Sequence, residues 1–136
     1  MADLSITAAN VQHSSAADRR HGIAAAAITA GQAVYRQTDG QFNLADNDNS
    51  ATEAAIFGVA CNDAAAGQPI DVAVSDTAFA IGATVAVGET YVVSSTAGGI
   101  DPEDDLSTGE YYSVVGHGVS TSAISIRPLN TGATHA

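Results

Sequence analysis

The sequence predicts an all-β domain, a small β-barrel or sandwich built from two similar units of about 57 residues and preceded by an extended N-terminal arm. Short runs of β-branched and aromatic residues recur at intervals of about 8–12 residues, with glycine turns between them, as in sandwiches and barrels. No amphipathic stretch of about ten residues separates these runs, which excludes a parallel sheet with crossover helices. The order of these runs also repeats along the chain, which indicates the two similar units.

The first element is residues 1–27, which we interpret as the extended arm. Residues 15–20 could form a helical turn and residues 24–27 favour helix, but Gly22 lies between them and both ends of the segment favour extended structure. The arm is electroneutral, with two aspartates and two arginines, so the net charge of −11 lies entirely in the body that follows.

The β domain is predicted to span residues 28–129, with an internal repeat of residues 28–74 and 85–128. Four features occur in the same order in both halves. They are Gly31-Gln32 and Gly88-Glu89, Gly40 and Gly98-Gly99, Phe57-Gly58-Val59 and Val115-Gly116-His117, and Ile70-Asp71-Val72 and Ile124-Ser125-Ile126. Reuse of common turn sequences could produce one such match by chance, but four in order favour a duplication.

Within each unit, the sequence predicts a strand after the first glycine turn, a second turn, an acidic loop, a buried strand and a half-buried strand with strict alternation. The last of these is expected at residues 69–74 in the first unit and 122–127 in the second. Residues 79–83 predict one further short strand between the units. Residues 130–136 are expected to form a flexible tail.

The charge of the chain limits the classes of partner that it can bind. Four arginines and no lysine accompany 15 acidic residues, and this balance excludes nucleic acid and anionic membrane surfaces as partners, because both require basic side chains.

No apolar stretch approaches the roughly 18 residues of a membrane span. Cys61 is the only cysteine, so no intrachain disulfide can form, and we interpret it as a small buried hydrophobe.

The sequence contains no pattern typical of an enzyme or of a cofactor site. His117 lies inside a predicted strand between two glycines, which favours a packed or edge-facing residue over a catalytic base. Residues 46–50 resemble the start of a calcium loop, but Ala51 occupies the position of the glycine and Phe57 that of the bidentate glutamate. We therefore interpret these acidic residues as turn formers. Binding of an adventitious divalent cation by these loops remains an open alternative.

Several motifs taken together resemble the capsid decoration, or cement, proteins of tailed bacteriophages. The resemblance covers residues 27–128. Its motifs are residues 27–35, 44–46, 57–60, 67–70, 87–94, 97–100, 105–111 and 115–118. His117 stands where that family's pattern leads us to expect a small residue.

This resemblance implies a virion structural protein, made in the host cytoplasm, that stabilises the outer capsid surface by bridging major capsid protein subunits, often as a homotrimer. A strongly negative body suits the outer face, since packaged DNA would repel it. The predicted partner contacts lie in the arm, which could order on assembly. They are Leu4, Ile6, Val11, Arg19, Arg20 and Ile23. On this hypothesis, deleting residues 2–22 leaves a folded domain that no longer binds capsids.

Two alternatives remain open from the sequence. One is a phage tail or head-fibre component, and the other is a β module that binds glycan or protein. Exposed aromatic residues would favour glycan, but the four tyrosines all fall in predicted strands. An enzyme is the alternative from another functional class, and nothing in the residue pattern favours it.

Overall fold

The computed structural model describes residues 3–135; Met1 and Ala2 of the predicted arm and Ala136 of the predicted tail lie outside the described residues. One curled antiparallel sheet forms a half-barrel, which confirms the prediction of an all-β barrel or sandwich. The strands are β1 (Val11–Gln12), β2 (Asp18–Ile23), β3 (Ala33–Arg36), β4 (Phe42–Leu44), β5 (Ile56–Ala60), β6 (Pro69–Ile81), β7 (Thr90–Val93), β8 (Ile100–Pro102), β9 (Tyr111–Gly118) and β10 (Ala123–Thr134). The helical elements are α1 (Ala51–Ala54) and 3-10 turns at Ala8–Asn10 and Glu103–Asp105.

The order of the strands in the sheet confirms the two similar units. The main path runs β4-β3-β5-β6-β10-β9-β7-β8. The first unit contributes β3 to β6 and the second unit β7 to β10. Read from its outer end toward the centre of the sheet, each unit places its second, first, third and fourth strand in that order, and the two units meet where β6 pairs with β10. The duplicated sequence therefore produces a duplicated topology about a central pair of strands.

The registers of the two units agree in detail. The pairing of β3 with β5 shifts between Val34 and Tyr35, and that of β7 with β9 shifts between Tyr91 and Val92, at the matching position of the repeat. The turns agree as well, since the Gly31 amide donates to the Ala60 carbonyl and the Gly88 amide to the Gly118 carbonyl, each at 2.8 Å. The predicted turns therefore serve the same role in both copies.

Two clusters of buried side chains form the core. The large core cluster joins both units and consists of Ala33, Ala45, Ile56, Val59, Ala73, Phe79, Ile81, Val85, Tyr91, Val93, Ile100, Val115, Ile124 and Ile126. The small core cluster belongs to the first unit and consists of Ala24, Ile28, Val34, Phe42, Ala60, Ala64, Ile70 and Val72. Neighbouring residues of a strand, such as Ala33 and Val34, enter different clusters because successive side chains point to opposite faces. The sheet of the first unit is thus buried on both sides.

The prediction of two separate strands at residues 69–74 and 79–83 was wrong. They form one strand of 13 residues, β6, which changes partners along its length. Its first half lies between β2 and β5, and its second half between β1 and β10. The polar residues Ser75, Asp76 and Thr77 resemble a loop in the sequence, but they mark the place where β6 passes from one set of partners to the other.

The segment before residue 28 is extended, as predicted, but it is not separate from the domain. The Leu4 amide donates to the Ile100 carbonyl at 2.9 Å, and the Ala25 amide to the Phe42 carbonyl at 2.7 Å. Between these contacts, β1 and β2 both pair with β6. The predicted boundary at residue 27 therefore does not divide the packing, because this segment covers the sheet of its own chain.

The predicted flexible tail also needs correction. Asn130 pairs with Ser113 and Thr134 with Tyr111, so β10 continues to Thr134. The His135 amide donates to the Glu110 carbonyl at 2.7 Å, and the Thr131 hydroxyl donates to the Tyr112 carbonyl at 2.6 Å. These residues are exposed and polar, which suggested disorder, but backbone pairing rather than side-chain burial holds them.

The loop between β1 and β2 is attached to the middle of β6 through Asp76. Asp76 is only 3% exposed, and its carboxylate accepts hydrogen bonds from the Ser14 amide at 2.8 Å and from the Ser14 hydroxyl. Burial raises the pKa of Asp76, but these bonds and one from the Ala78 amide outweigh it, so the pKa lies below its ordinary value. The charged carboxylate thus belongs to the native packing.

We expect Ser14→Ala to lower the free energy of unfolding by about 1–3 kcal/mol at pH 7, since a buried carboxylate loses a charge-assisted hydrogen bond. A lowered pKa means that this stabilisation is present above the ordinary aspartate pKa of about 4 and is lost as the pH falls below it. Urea denaturation at pH 7 and pH 3 measures the effect, which should be smaller at pH 3. Ser15→Ala, at the exposed neighbouring position, is the control and should change stability by less than about 0.5 kcal/mol. Equal effects of the two substitutions would contradict the role of Ser14.

Candidate interaction surface

Strand β2 lies at an edge of the sheet and is the most accessible strand of the N-terminal segment. It pairs with β6 on one side, and within residues 3–135 no other strand pairs with it. Five of its six residues are exposed, all except Gly22. Alternate backbone amides and carbonyls of such a strand point away from the sheet and are available to a further strand.

Ion pairs hold the charged side chains of β2 in place. Arg19 pairs with Asp71 of β6 at 2.5 Å, and Arg20 pairs with Asp18 at 2.6 Å. The His21 ring nitrogen Nδ1 lies 2.9 Å from the Asp71 carboxylate. Exposed pairs of this kind stabilise a fold little, so their main effect is on the surface. Two arginines against two aspartates make this edge a neutral strip on a chain whose net charge is −11.

The position of β2 depends on Gly22. A Cβ at Gly22 would lie 2.5 Å from the ring of Phe42, a residue of the small core cluster that is 2% exposed. The Phe42 ring packs in turn against the Phe57 ring, with their centroids 5.2 Å apart. The absent side chain lets β2 approach this pair of rings, and the neighbouring Ile23 remains 38% exposed beside the charged residues.

The six residues predicted to contact a partner fall into two groups. Arg19, Arg20 and Ile23 lie exposed on β2. Leu4, Ile6 and Val11 are instead half-buried against the large core cluster of their own chain. The structure therefore brings one group to the surface together and assigns the other to the packing of the domain.

A second exposed feature, the loops beside β7 and β9, escaped the sequence prediction. Val87 is 68% exposed and Val119 is 39% exposed. Their loops are joined by the hydrogen bond from the Gly88 amide to the Gly118 carbonyl. Val87 comes directly before the glycine turn that precedes β7. No alternation of apolar and polar residues surrounds it, so the sequence does not indicate whether its side chain faces the core or solvent.

His117 and the concave surface beside the N-terminal segment are two places where catalytic groups could lie. His117 is exposed on β9, and its ring has no hydrogen bond or ion pair within the described part of the chain. A concave region of about 410 Å³ lies between the N-terminal segment and the end of β6. It is lined by Ser5, Thr7, Asn10, Ala80, Gly82, Ala83, Thr84 and Ser122. None of these side chains titrates near neutral pH.

The acidic loop of the first unit forms turns, as interpreted from the sequence. The Asp46 carboxylate accepts a hydrogen bond from the Asp48 amide at 3.1 Å, and Ser50 caps α1 by accepting one from the Glu53 amide at 3.2 Å. Asn47 is fully buried, and its side chain donates to the Val93 carbonyl at 2.8 Å, which joins the two units. Burial, followed by the nearby Asp48 side chain, raises the pKa of Asp46 to about 6.

Neither a metal centre nor a membrane-spanning helix is found in residues 3–135. No three histidine, cysteine, aspartate or glutamate side chains of this range are grouped so that they could hold a metal ion. None of its helices is long and apolar enough to cross a bilayer.

No protein-family model matches this chain, and no curated protein matches it in sequence. The resemblance to capsid decoration proteins accordingly depends on the motifs described in the sequence analysis. The functional argument depends on the surface formed by β2.

Proposed function

We propose that this chain is a virion structural protein that decorates the outer surface of a tailed-phage capsid and stabilises it by bridging major capsid protein subunits. One observation carries the proposal beyond the motifs. On a strongly anionic body, the neutral edge of β2 presents Arg19, Arg20 and Ile23 on a strand that, within residues 3–135, pairs only with β6. A surface of this kind suits contact with another protein rather than with a small molecule.

Strand addition is the mode of contact that this edge favours. An extended segment of a capsid subunit lies beside β2 and forms main-chain hydrogen bonds with it, as peptides do at other exposed sheet edges. The arginines give up their present carboxylate partners for acidic side chains of the capsid segment, and Ile23 packs against its apolar residues. Because β2 is already held by β6, little order has to be gained on binding.

Clustering of copies increases the strength of these contacts. We propose homotrimers at the three-fold and quasi-three-fold positions of the shell, where each copy contributes one edge strand. Several modest contacts made together bind far more tightly than one of them alone. The acidic remainder of each copy faces outward, away from the packaged DNA, which repels it. In this role the chain takes no nucleic acid, membrane or cofactor as partner and catalyses no reaction.

The proposal predicts that Arg20→Glu abolishes binding to undecorated capsids, or weakens it at least tenfold, while the domain stays folded. The substitution turns the neutral edge negative and places three acidic side chains, at positions 18, 20 and 71, around it. Binding is measured by sedimenting purified protein with capsids of the phage that encodes it and imaging the particles by electron microscopy.

Arg36→Glu is the matched control, since Arg36 is also exposed on a strand but lies on β3, which does not pair with β2. It should bind like the unmodified chain. If the unmodified chain leaves the capsids bare, the decoration role fails. If Arg20→Glu binds as well as Arg36→Glu, the role survives but the assignment of β2 as the contact fails.

A further inference from the structure

Two carboxyl groups meet where the N-terminal segment joins the edge of β8. Asp101 of β8 is only 8% exposed, and its side chain is hydrogen-bonded to that of Asp3. The next residue on each side completes the junction, because the Leu4 amide donates to the Ile100 carbonyl at 2.9 Å. The start of the described chain is thus fastened to the sheet through a pair of acids.

The surroundings of Asp3 indicate that the pair shares a proton. The Ser94 hydroxyl donates to the Asp3 carboxylate at 3.1 Å, and the side chain of Thr96 is hydrogen-bonded to it as well. With Asp101 as the third donor, Asp3 is the charged acceptor and Asp101 carries the proton. A cation would instead need converging oxygen lone pairs, and residues 3–135 contain no third acid placed to complete a metal site.

The electrostatics agree with this assignment. Burial, followed by the hydrogen bond to Asp3 and the charges of Asp3, Asp105 and Glu110, raises the pKa of Asp101 from its ordinary value of 3.8 to about 8. For Asp3, burial raises the pKa, but the hydrogen bonds from Asp101, Thr96 and Ser94 outweigh it and lower the pKa below its ordinary value. At neutral pH the pair therefore holds one proton and one negative charge.

We propose that the Asp3–Asp101 pair is a proton-dependent clasp that holds the N-terminal segment on β8 and releases it when the shared proton is lost in alkaline solution. Loss of the proton leaves two adjacent carboxylates in a largely buried site with further acids facing them. The repulsion acts at the residue next to Leu4, so the hydrogen bond to Ile100 and the packing of Leu4 and Ile6 are lost with it. This switch is independent of capsid binding.

The direction of the pH effect follows from counting protons. When the segment is docked, the pair keeps one proton up to about pH 8. When the segment is released, the pKa of each carboxyl group approaches the ordinary aspartate value of 3.8. Between these limits the docked state binds more protons, so docking weakens as the pH rises and is weakest above about pH 8. The docking equilibrium falls by up to about tenfold for each pH unit in this interval.

Two nuclear magnetic resonance measurements on the full chain test the clasp. Carboxyl carbon-13 shifts, followed from pH 3 to pH 10, should place the Asp101 transition between about pH 7 and pH 9. The protection factor of the Leu4 amide, corrected for the intrinsic exchange rate, should be high near pH 5 and fall toward its minimum above pH 8. The Ile126 amide in the core should remain protected throughout, because only the junction opens.

Asp101→Asn mimics the protonated acid and should keep Leu4 protected up to pH 9.5. Asp104→Asn makes the same change of charge at an exposed neighbouring position and should behave like the unmodified chain. An Asp101 transition near pH 4, or Leu4 protection that does not change between pH 5 and pH 9.5, overturns the clasp. Recovery of Leu4 protection at pH 9.5 on addition of calcium, with Asp3 and Asp101 as the shifted carboxyls, also overturns it and assigns the pair to a cation.

Discussion

Replacing Gly116 with alanine is expected to lower the free energy of unfolding by about 3 kcal/mol or more. A Cβ at Gly116 would lie 1.8 Å from the carbonyl oxygen of Ser125 on the neighbouring strand β10. No side-chain rotation relieves this contact, because the obstructing atom belongs to the backbone. Strands β9 and β10 would have to separate where Gly116 pairs with Ile126, a residue at the centre of the large core cluster.

The repeat supplies a second test of the same explanation. Gly58 is the counterpart of Gly116 in the first unit, and its Cβ would lie 2.3 Å from the Ala73 carbonyl oxygen on β6. Gly58→Ala should therefore be destabilising to a similar degree. At Gly67 a Cβ would meet no atom within 4 Å, so Gly67→Ala should cost only the roughly 1–2 kcal/mol of its positive φ.

Chemical denaturation followed by circular dichroism compares these three variants. If Gly116→Ala and Gly67→Ala were equally stable, close approach of the strands would not be the reason for the glycine. A large effect at Gly116 with none at Gly58 would mean that the two units differ in how they hold their central strands.

The sequence predicted the first, third and fourth strands of each unit because the signals for them are local, but it predicted no strand at β4 or β8. Runs of β-branched and aromatic residues indicate strands such as β3 and β7, and glycines such as Gly31 and Gly88 mark the turns before them. Matching features in the same order, at similar offsets, then predict matching topology. None of these inferences requires knowledge of which distant segment lies alongside.

The errors concern pairing between distant segments. The polar residues around Asp76 resemble a loop unless Ser14, 62 residues earlier, is known to bind the carboxylate. The polar end of β10 resembles a tail unless its pairing with β9 is known. Neither partner can be inferred from the composition of the segment itself.

The candidate site was predicted in part for the same reason. Charged Arg19 and Arg20 had to remain near solvent, and they do so on β2. Leu4, Ile6 and Val11 could equally cover a partner or their own core, and the sequence does not decide between these. The contact of Asp3 with Asp101 joins residues about 100 positions apart, and no local pattern marks it.

Deleting residues 2–22 is expected to abolish cooperative folding, or to lower the free energy of unfolding by at least about 5 kcal/mol. The deletion removes β1 and nearly all of β2, which together line one side of β6 along most of its length. It also uncovers the part of the large core cluster now shielded by Leu4, Ile6 and Val11, at roughly 1 kcal/mol for each half-buried side chain. Asp76 loses its Ser14 partner, at about 1–3 kcal/mol more. This total is comparable with the whole stability of an ordinary small domain.

Thermal unfolding and the dispersion of amide resonances report whether the truncated chain folds. A synthetic peptide of residues 2–22, added to the truncated chain, is the control and should restore dispersed resonances by replacing the missing strands. A truncated chain that folds cooperatively and merely loses capsid binding would instead support a separable arm. The two outcomes are distinguishable. If residues 2–22 cover β6, the truncated chain does not fold; if they form a separable arm, it folds and loses only its contact with the partner. The contacts of Leu4, Val11 and Ser14 within their own chain favour the first.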